Sequence, residues 1–149
     1  MTDSKALIEA LDLAPHPEGG WYRETWRGPD NADGRAVGTA ILFLLESHQA
    51  SHWHKVDAHE LWLWQAGDPL LLQLAGPDAV RSQDIMLGPD IAASQSLQGL
   101  VPAHHWQAAS PAAVAQPIGY SLVSCVVTPG FEFSGFELAA PGWEPSSAR

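Results

Sequence analysis

The chain is poor in cysteine and in basic residues, and it has no long apolar run. Cys125 is the single cysteine among 149 residues, which excludes an intrachain disulfide framework and a zinc site built from thiolates. Seven Lys and Arg stand against 17 Asp and Glu, a formal net charge of -10 with the seven histidines neutral. That balance lacks the basic face that neutralises phosphates, so no nucleic-acid partner is expected. It equally argues against docking on anionic lipid. No stretch of about 18 apolar residues exists, so no membrane-spanning segment is expected. The opening Met1-Thr2-Asp3-Ser4-Lys5 lacks a basic region followed by an apolar one, so no secretory signal is expected and a cytoplasmic location follows as the default.

What is present points to β structure. Hydrophobic residues make up 46%, enough to fill a core and to exclude disorder. Thirteen glycines and 12 prolines imply frequent turns, and seven tryptophans supply large apolar surfaces, each with one N–H that seeks a partner. Ser4 to Leu13 reads as a short helix that Ser4 caps and Pro15 stops. Strands are predicted over Trp21 to Arg27, Val37 to Leu45, Trp53 to Lys55, Glu60 to Gln65, Leu70 to Ala75, Val80 to Leu87, Ser96 to Val101, Trp106 to Ala108, Tyr120 to Thr128 and Phe131 to Leu138. Gly67-Asp68-Pro69, Gly76-Pro77-Asp78 and Gly88-Pro89 supply turns between them. No repeat or linker divides the chain. One domain over residues 1–149 is expected, with its core at about 7–143 and a loose tail at 144–149. Many short strands after one helix predict a sandwich or barrel, whose chemistry would sit on inward-facing strand residues.

The densest polar cluster is His52-Trp53-His54-Lys55-Val56-Asp57-Ala58-His59-Glu60. Two histidines at i and i+2 on a strand project to one face, so both imidazoles can reach one metal, and a later carboxylate can complete the set. A polar bend with exposed histidines is the plainer reading of the same residues.

The spacing around this cluster is more specific. His52 and His54, then Glu60 and Gly67, resemble the first signature of the cupin superfamily, G-x5-H-x-H-x(3,4)-E-x6-G, although five residues separate His54 from Glu60 here. Pro102, His104 and Gln107 fall on the second signature, G-x5-P-x-G-x2-H, with His104 at its glycine and Gln107 at its histidine. Pro15-His16-Pro17-Glu18-Gly19-Gly20-Trp21-Tyr22-Arg23-Glu24-Thr25 resembles the opening signature of one cupin subfamily of unassigned function. Val101-Pro102-Ala103, Trp106-Gln107-Ala108-Ala109 and Thr128-Pro129-Gly130-Phe131-Glu132-Phe133 continue the likeness in order.

The resemblance implies an all-β, jelly-roll barrel of two antiparallel sheets with a short N-terminal helix, similar to dehydrorhamnose epimerases and seed-storage globulins and usually a homodimer. His54, Glu60 and Gln107 are its retained polar set. A divalent metal would draw on His54, Glu60 and Gln107, with His52 or His59 adding an imidazole; a metal-free pocket is the other reading. Amide oxygen is a weak donor, so this set is poorer than three histidines and a glutamate. Tyr22 is implied as a proton donor, or it is a core aromatic. Glu18 and Arg23 sit at the entrance strand, where Arg23 can grip a carboxylate or phosphate or form an ion pair with a neighbouring glutamate. Trp62 and Trp64 share the face of Glu60 and, with Trp106, either stack on a ligand or fill the barrel. Walled by indoles, Glu60 would have a raised pKa, and His54 would act as a base beside it. His16, His48 and His105 read as surface groups, and Cys125 as a small buried apolar residue. Three functions follow: an isomerase or epimerase acting on a sugar-like or hydroxylated anionic small molecule, a non-catalytic small-ligand binder, or a metal-dependent enzyme such as a dioxygenase. The choice of chemistry rests on analogy.

Overall fold

Asp3 starts the helix. Its Oδ1 accepts the Ala6 N–H at 2.8 Å, and α1 runs Ser4–Ala10. The cap therefore lies one residue before Ser4, whose hydroxyl instead donates to Glu46 Oε2 at 2.7 Å. The helix ends short of Leu13 because the chain turns at Asp12, which holds a left-handed φ of 54°. This computed structural model describes residues 3–147. Among those residues no helix is long and apolar enough to cross a membrane.

The strands are β1 (Ala14–Pro15), β2 (Trp21–Arg27), β3 (Thr39–Glu46), β4 (Ser51–Val56), β5 (His59–Gly67), β6 (Leu70–Ala75), β7 (Arg81–Leu87), β8 (Gln98–Val101), β9 (Trp106–Pro111), β10 (Tyr120–Thr128) and β11 (Phe136–Leu138). They form two antiparallel sheets, one of order β1-β2-β3-β10-β5-β8 and one of order β11-β4-β9-β6-β7. The fold is the expected all-β jelly roll. The last predicted strand differs: a 3-10 turn at Phe133–Gly135 interrupts it, and only Phe136–Leu138 pairs.

β3 reads as nearly continuous apolar sequence because both its faces are covered. Leu44 turns outward to a layer where Leu7 and Ile8 of α1 and Leu11 just after it pack with Leu13 and Tyr120. Phe43 and Leu45 turn inward and join Trp62, Leu70, Leu72, Leu74, Leu87, Val101 and Val123 in the central core. Register makes the inward face a stack of rungs across the larger sheet. Tyr22, Phe43, Val123 and Trp64 form one rung; Glu24, Ile41, Cys125 and Trp62 form the next; Arg27, Thr39, Val127 and Glu60 form the third. The interior thus changes from packed hydrocarbon to polar groups over three rungs of one sheet.

The tail is not loose through its described length. Trp143 packs on Trp53 and Trp106 outside the smaller sheet, and Pro145 is buried. Ser146 N–H donates to Ala79 O at 2.8 Å, and its carbonyl accepts the Arg81 N–H at 2.8 Å. Residues 148 and 149 of the expected tail, and Met1 and Thr2 of the opening segment, lie outside the described residues.

Gly67 ends β5 with φ +88°, and a Cβ there would sit 2.2 Å from the Tyr120 carbonyl oxygen. The next residue locks the same junction: Asp68 Oδ1 and Oδ2 accept the Ile118 and Gly119 N–H groups at 2.8 and 3.0 Å. Gly67→Ala combines an unfavourable φ with a backbone collision, so it should cost more than about 2 kcal/mol of stability, read as a lowered urea midpoint.

Candidate active site

The third rung and the two strand ends of the smaller sheet that face it surround a cavity of about 290 Å³. β5 supplies Glu60 and β4 supplies His54 and Val56. The turn before β2 supplies His16 and Glu18, and the segment between β10 and β11 closes the mouth with Phe131, Glu132, Phe133 and Phe136. The volume lies near the lower end of ordinary small-ligand sites.

Glu18 enters the barrel because its turn is tight. His16 N–H donates to Gly20 O at 2.9 Å, and Gly19 N–H to His16 O at 3.0 Å. Gly19 (φ +109°) and Gly20 (φ +80°) pass so close to β3 and the Ala50 carbonyl that any Cβ would collide. Glu18 is buried, and its Oε2 lies 2.7 Å from His54 Nε2. This is a close ion pair rather than an aligned hydrogen bond, and Oε2 has no aligned donor. On the other side of the ring, His54 Nδ1–H donates to His52 O at 2.7 Å. Both ring nitrogens therefore face oxygen acceptors, which favours the doubly protonated imidazolium.

Burial alone would lower the His54 pKa, but the Glu18 carboxylate overrides it, with help from Glu60 and the His52 carbonyl, and raises it to about 9. Reciprocally, burial pushes Glu18 up while the His54 imidazolium holds it below the usual carboxylate range. Glu60 has no ion-pair contact among the described residues. Burial raises its pKa, and the Glu18 charge adds to that; the opposing His54 charge and Gln107 hydrogen bond leave it at about 7. Burial also lowers His16 and pushes the Cys125 thiol well up.

Gln107, on β9 opposite His54, reaches between the sheets. Trp62 Nε1–H donates to Gln107 Oε1 at 2.8 Å, and Gln107 Nε2–H donates to Glu60 Oε1 at 2.9 Å. Because an indole N–H can only donate, it fixes the amide oxygen toward Trp62 and aims the amide protons at Glu60.

The expected residues divide accordingly. Glu18, Tyr22, His54 and Glu60 all line the cavity. Trp62 and Trp64 do share the inward face of Glu60, but they occupy the rungs below it and fill the core; the Trp64 Nε1–H donates to Asp68 O. Trp106 faces the outer side of the smaller sheet, against Trp143 and the Lys55 ammonium. Arg23 is exposed, with its backbone paired to Leu42 on the outward rung. The two-histidine metal set is undone by a bulge: register between β4 and β9 slips between Ser51 and His54, so strict alternation fails. His52 Nε2–H donates outward to Ala140 O at 2.9 Å, and exposed His59 accepts the Ala103 N–H at 3.1 Å. With Gln107 presenting protons rather than a lone pair to the Glu60 side, the five expected donors do not fit a metal as arranged. Among the described residues no three His, Cys, Asp or Glu side chains stand in metal-holding geometry.

His16, read from sequence as a surface group, has a side chain only 5% exposed and lines the cavity, its ring 4.4 Å from that of Tyr22. Arg27 was hidden by a second bulge. Thr25 is skipped in the register with β3, so the face carrying Tyr22 and Glu24 continues with Arg27 instead of Trp26. Arg27 pairs with both Glu24 oxygens, at 2.8 and 3.3 Å, and donates to Phe131 O at 3.0 Å. The Pro-His-Pro-Glu-Gly-Gly run was the available signal for His16 and Glu18; nothing local in the sequence marks either bulge.

Residues 5–139 match the family described as Cupin superfamily (DUF985), and the chain belongs to that family. It is similar to a hypothetical protein from Leishmania major at 35% identity and TM-score 0.84, covering 93% of this chain and 88% of that one. It is similar to a protein from Shewanella oneidensis at 36% identity and TM-score 0.84, covering 94% and 86%. A nucleoside dehydratase, Pac13, shares the fold at 9% identity and TM-score 0.58, over 85% of this chain and 82% of that one. No curated protein matches the sequence.

His54 ties its charge to the folded state. Its folded pKa lies above the ordinary 6.5, so the stability it contributes is fully present below pH 6.5 and is lost as pH rises through about 9. By NMR the ring should titrate near pH 9 in the native protein, and in Glu18→Gln its pKa should fall clearly, because the largest influence opposing burial is then gone. An unmoved His54 titration in that variant would refute the pairing.

Proposed function

We propose that this protein binds a small polar molecule in the barrel and moves a proton on it, a reaction of isomerase or epimerase type. The observation that carries this reading is Glu60: a buried carboxyl, aimed into the cavity by Gln107, with its pKa raised to about 7. A group poised near neutrality can both take and return a proton, which is what general acid–base work requires.

The roles differ from those expected of the sequence. His54 has its pKa raised to about 9 by Glu18, which speaks against the base role and for that of a charged donor. It instead stabilises negative charge developing on the ligand or delivers a proton, and Glu60 takes the base role. Tyr22, whose ring edge packs on His16, lines the same cavity and is the second candidate donor. The largely apolar walls around these groups strengthen each charge by excluding water.

The test is solvent-deuterium exchange. The protein is incubated in heavy water with a panel of small carbonyl and hydroxylated compounds, and incorporation at carbon is followed by mass spectrometry. The wild type should label one class of compound, and Glu60→Gln should slow labelling by at least about a hundredfold. The rate should rise as Glu60 ionises through pH 7 and fall as His54 loses its proton near pH 9. Compounds that bind without labelling would leave a non-catalytic binder in place of an enzyme.

A further inference from the structure

We infer that the ligand of this cavity is a cation, a small ammonium compound with an apolar carbon body. The inference rests on the reading above that the cavity is a ligand site, but not on turnover. Four carboxylates line it, Glu18, Glu24, Glu60 and Glu132, against two cationic side chains, Arg27 and His54. Both cations are already committed. His54 pairs with Glu18 at 2.7 Å, and Arg27 is held by both oxygens of Glu24 and by Phe131 O. Arg35, 3.9 Å from Glu132, is engaged bidentately by Asp57 at 2.8 and 3.0 Å. Glu60, buried like Glu18, has no ion-pair partner among the described residues; the neutral amide of Gln107 and the thiol of Cys125 lie beside it.

An anion entering this space would meet a surplus of its own charge, and capturing Arg27 would strand Glu24. A neutral polyol needs donors as well as acceptors from the wall. The wall offers both, with the Tyr22 and Thr39 hydroxyls as donors, but a neutral molecule leaves the surplus carboxylate charge unmatched. An ammonium group brings donors and the missing charge together. The rest of the lining suits its carbon body and its charge: Tyr22, Phe131, Phe133 and Phe136 present aromatic rings, whose faces attract cations in a desolvated site. A cation seated there also favours the ionised form of Glu60, so binding would arm the base.

Three probes of one shape separate the possibilities: tert-butylammonium, tert-butanol and pivalate, titrated calorimetrically into the full chain. The cation should bind at least about tenfold more tightly than the alcohol, with the anion weakest. Glu60→Gln should weaken the cation at least about tenfold and by clearly more than it weakens the alcohol. Equal or tighter binding of the alcohol or of pivalate, or no binding of the cation, overturns the inference. A cation preference without deuterium exchange on any compound would keep this inference and remove proton transfer; exchange on a neutral or anionic compound with the ranking reversed would do the opposite.

Discussion

Two buried carboxylates share one charged imidazole, since burial lowers the pKa of the second cavity imidazole, His16, and the interior of this barrel is organised around that shortage. Ionised carboxylates taken out of water cost several kcal/mol each unless paired and hydrogen-bonded. Glu18 takes the imidazole, at 2.7 Å, and both groups stay charged. Glu60 is left with neutral neighbours and answers the same burial by holding its proton to about pH 7. The two glutamates thus differ in protonation because of where His54 sits, not because of any difference in chemistry. Moving the ring nitrogen from one carboxylate to the other would exchange their roles.

The fold delivers this arrangement by breaking its own alternation twice. The slip in β4 separates His52 from His54, so one imidazole points outward to Ala140 while the other enters the cavity. The slip at Thr25 in β2 brings Arg27 onto the inner face, where it joins Glu24 and pins the Phe131 carbonyl. Both bulges lie where the strands leave the hydrocarbon core and reach the cavity, which is where re-aimed side chains matter. Above them Arg35 holds Gly130 O and Asp57, so the aromatic mouth is anchored from the loop before β3.

The strand layout was legible in the sequence because turn residues and apolar periodicity are local. So was the inward position of His54 and Glu60, through the signature spacing, and the shared face of Glu60, Trp62 and Trp64 through simple alternation. What escaped was non-local. No property of residues 16 to 20 announces that Glu18 will meet an imidazole thirty-six positions later, since that contact depends on the Gly19-Gly20 turn being pressed against β3. The bulges leave no local mark, so strict alternation puts His52 on the face of His54 and misses Arg27 in the cavity. The tail reads as polar and proline-rich, yet Trp143 and Ser146 bind it to the smaller sheet by contacts that only the folded topology creates.

Gln107 shows how the same framework is turned to other chemistry. It stands where the resemblance to the second signature implies a histidine, and its amide could in principle offer an oxygen to a cation. Trp62 decides otherwise: an indole N–H has no acceptor capacity, so it claims the amide oxygen and leaves the amide protons facing Glu60. A position suited to a lone-pair donor has become a hydrogen-bond donor, and the carboxylate beside it has gained an orienting partner that adds no charge. A histidinium or lysine there would pair Glu60 and lower its pKa as His54 does for Glu18; a neutral amide orients the carboxyl while leaving it free to gain and lose its proton near neutrality.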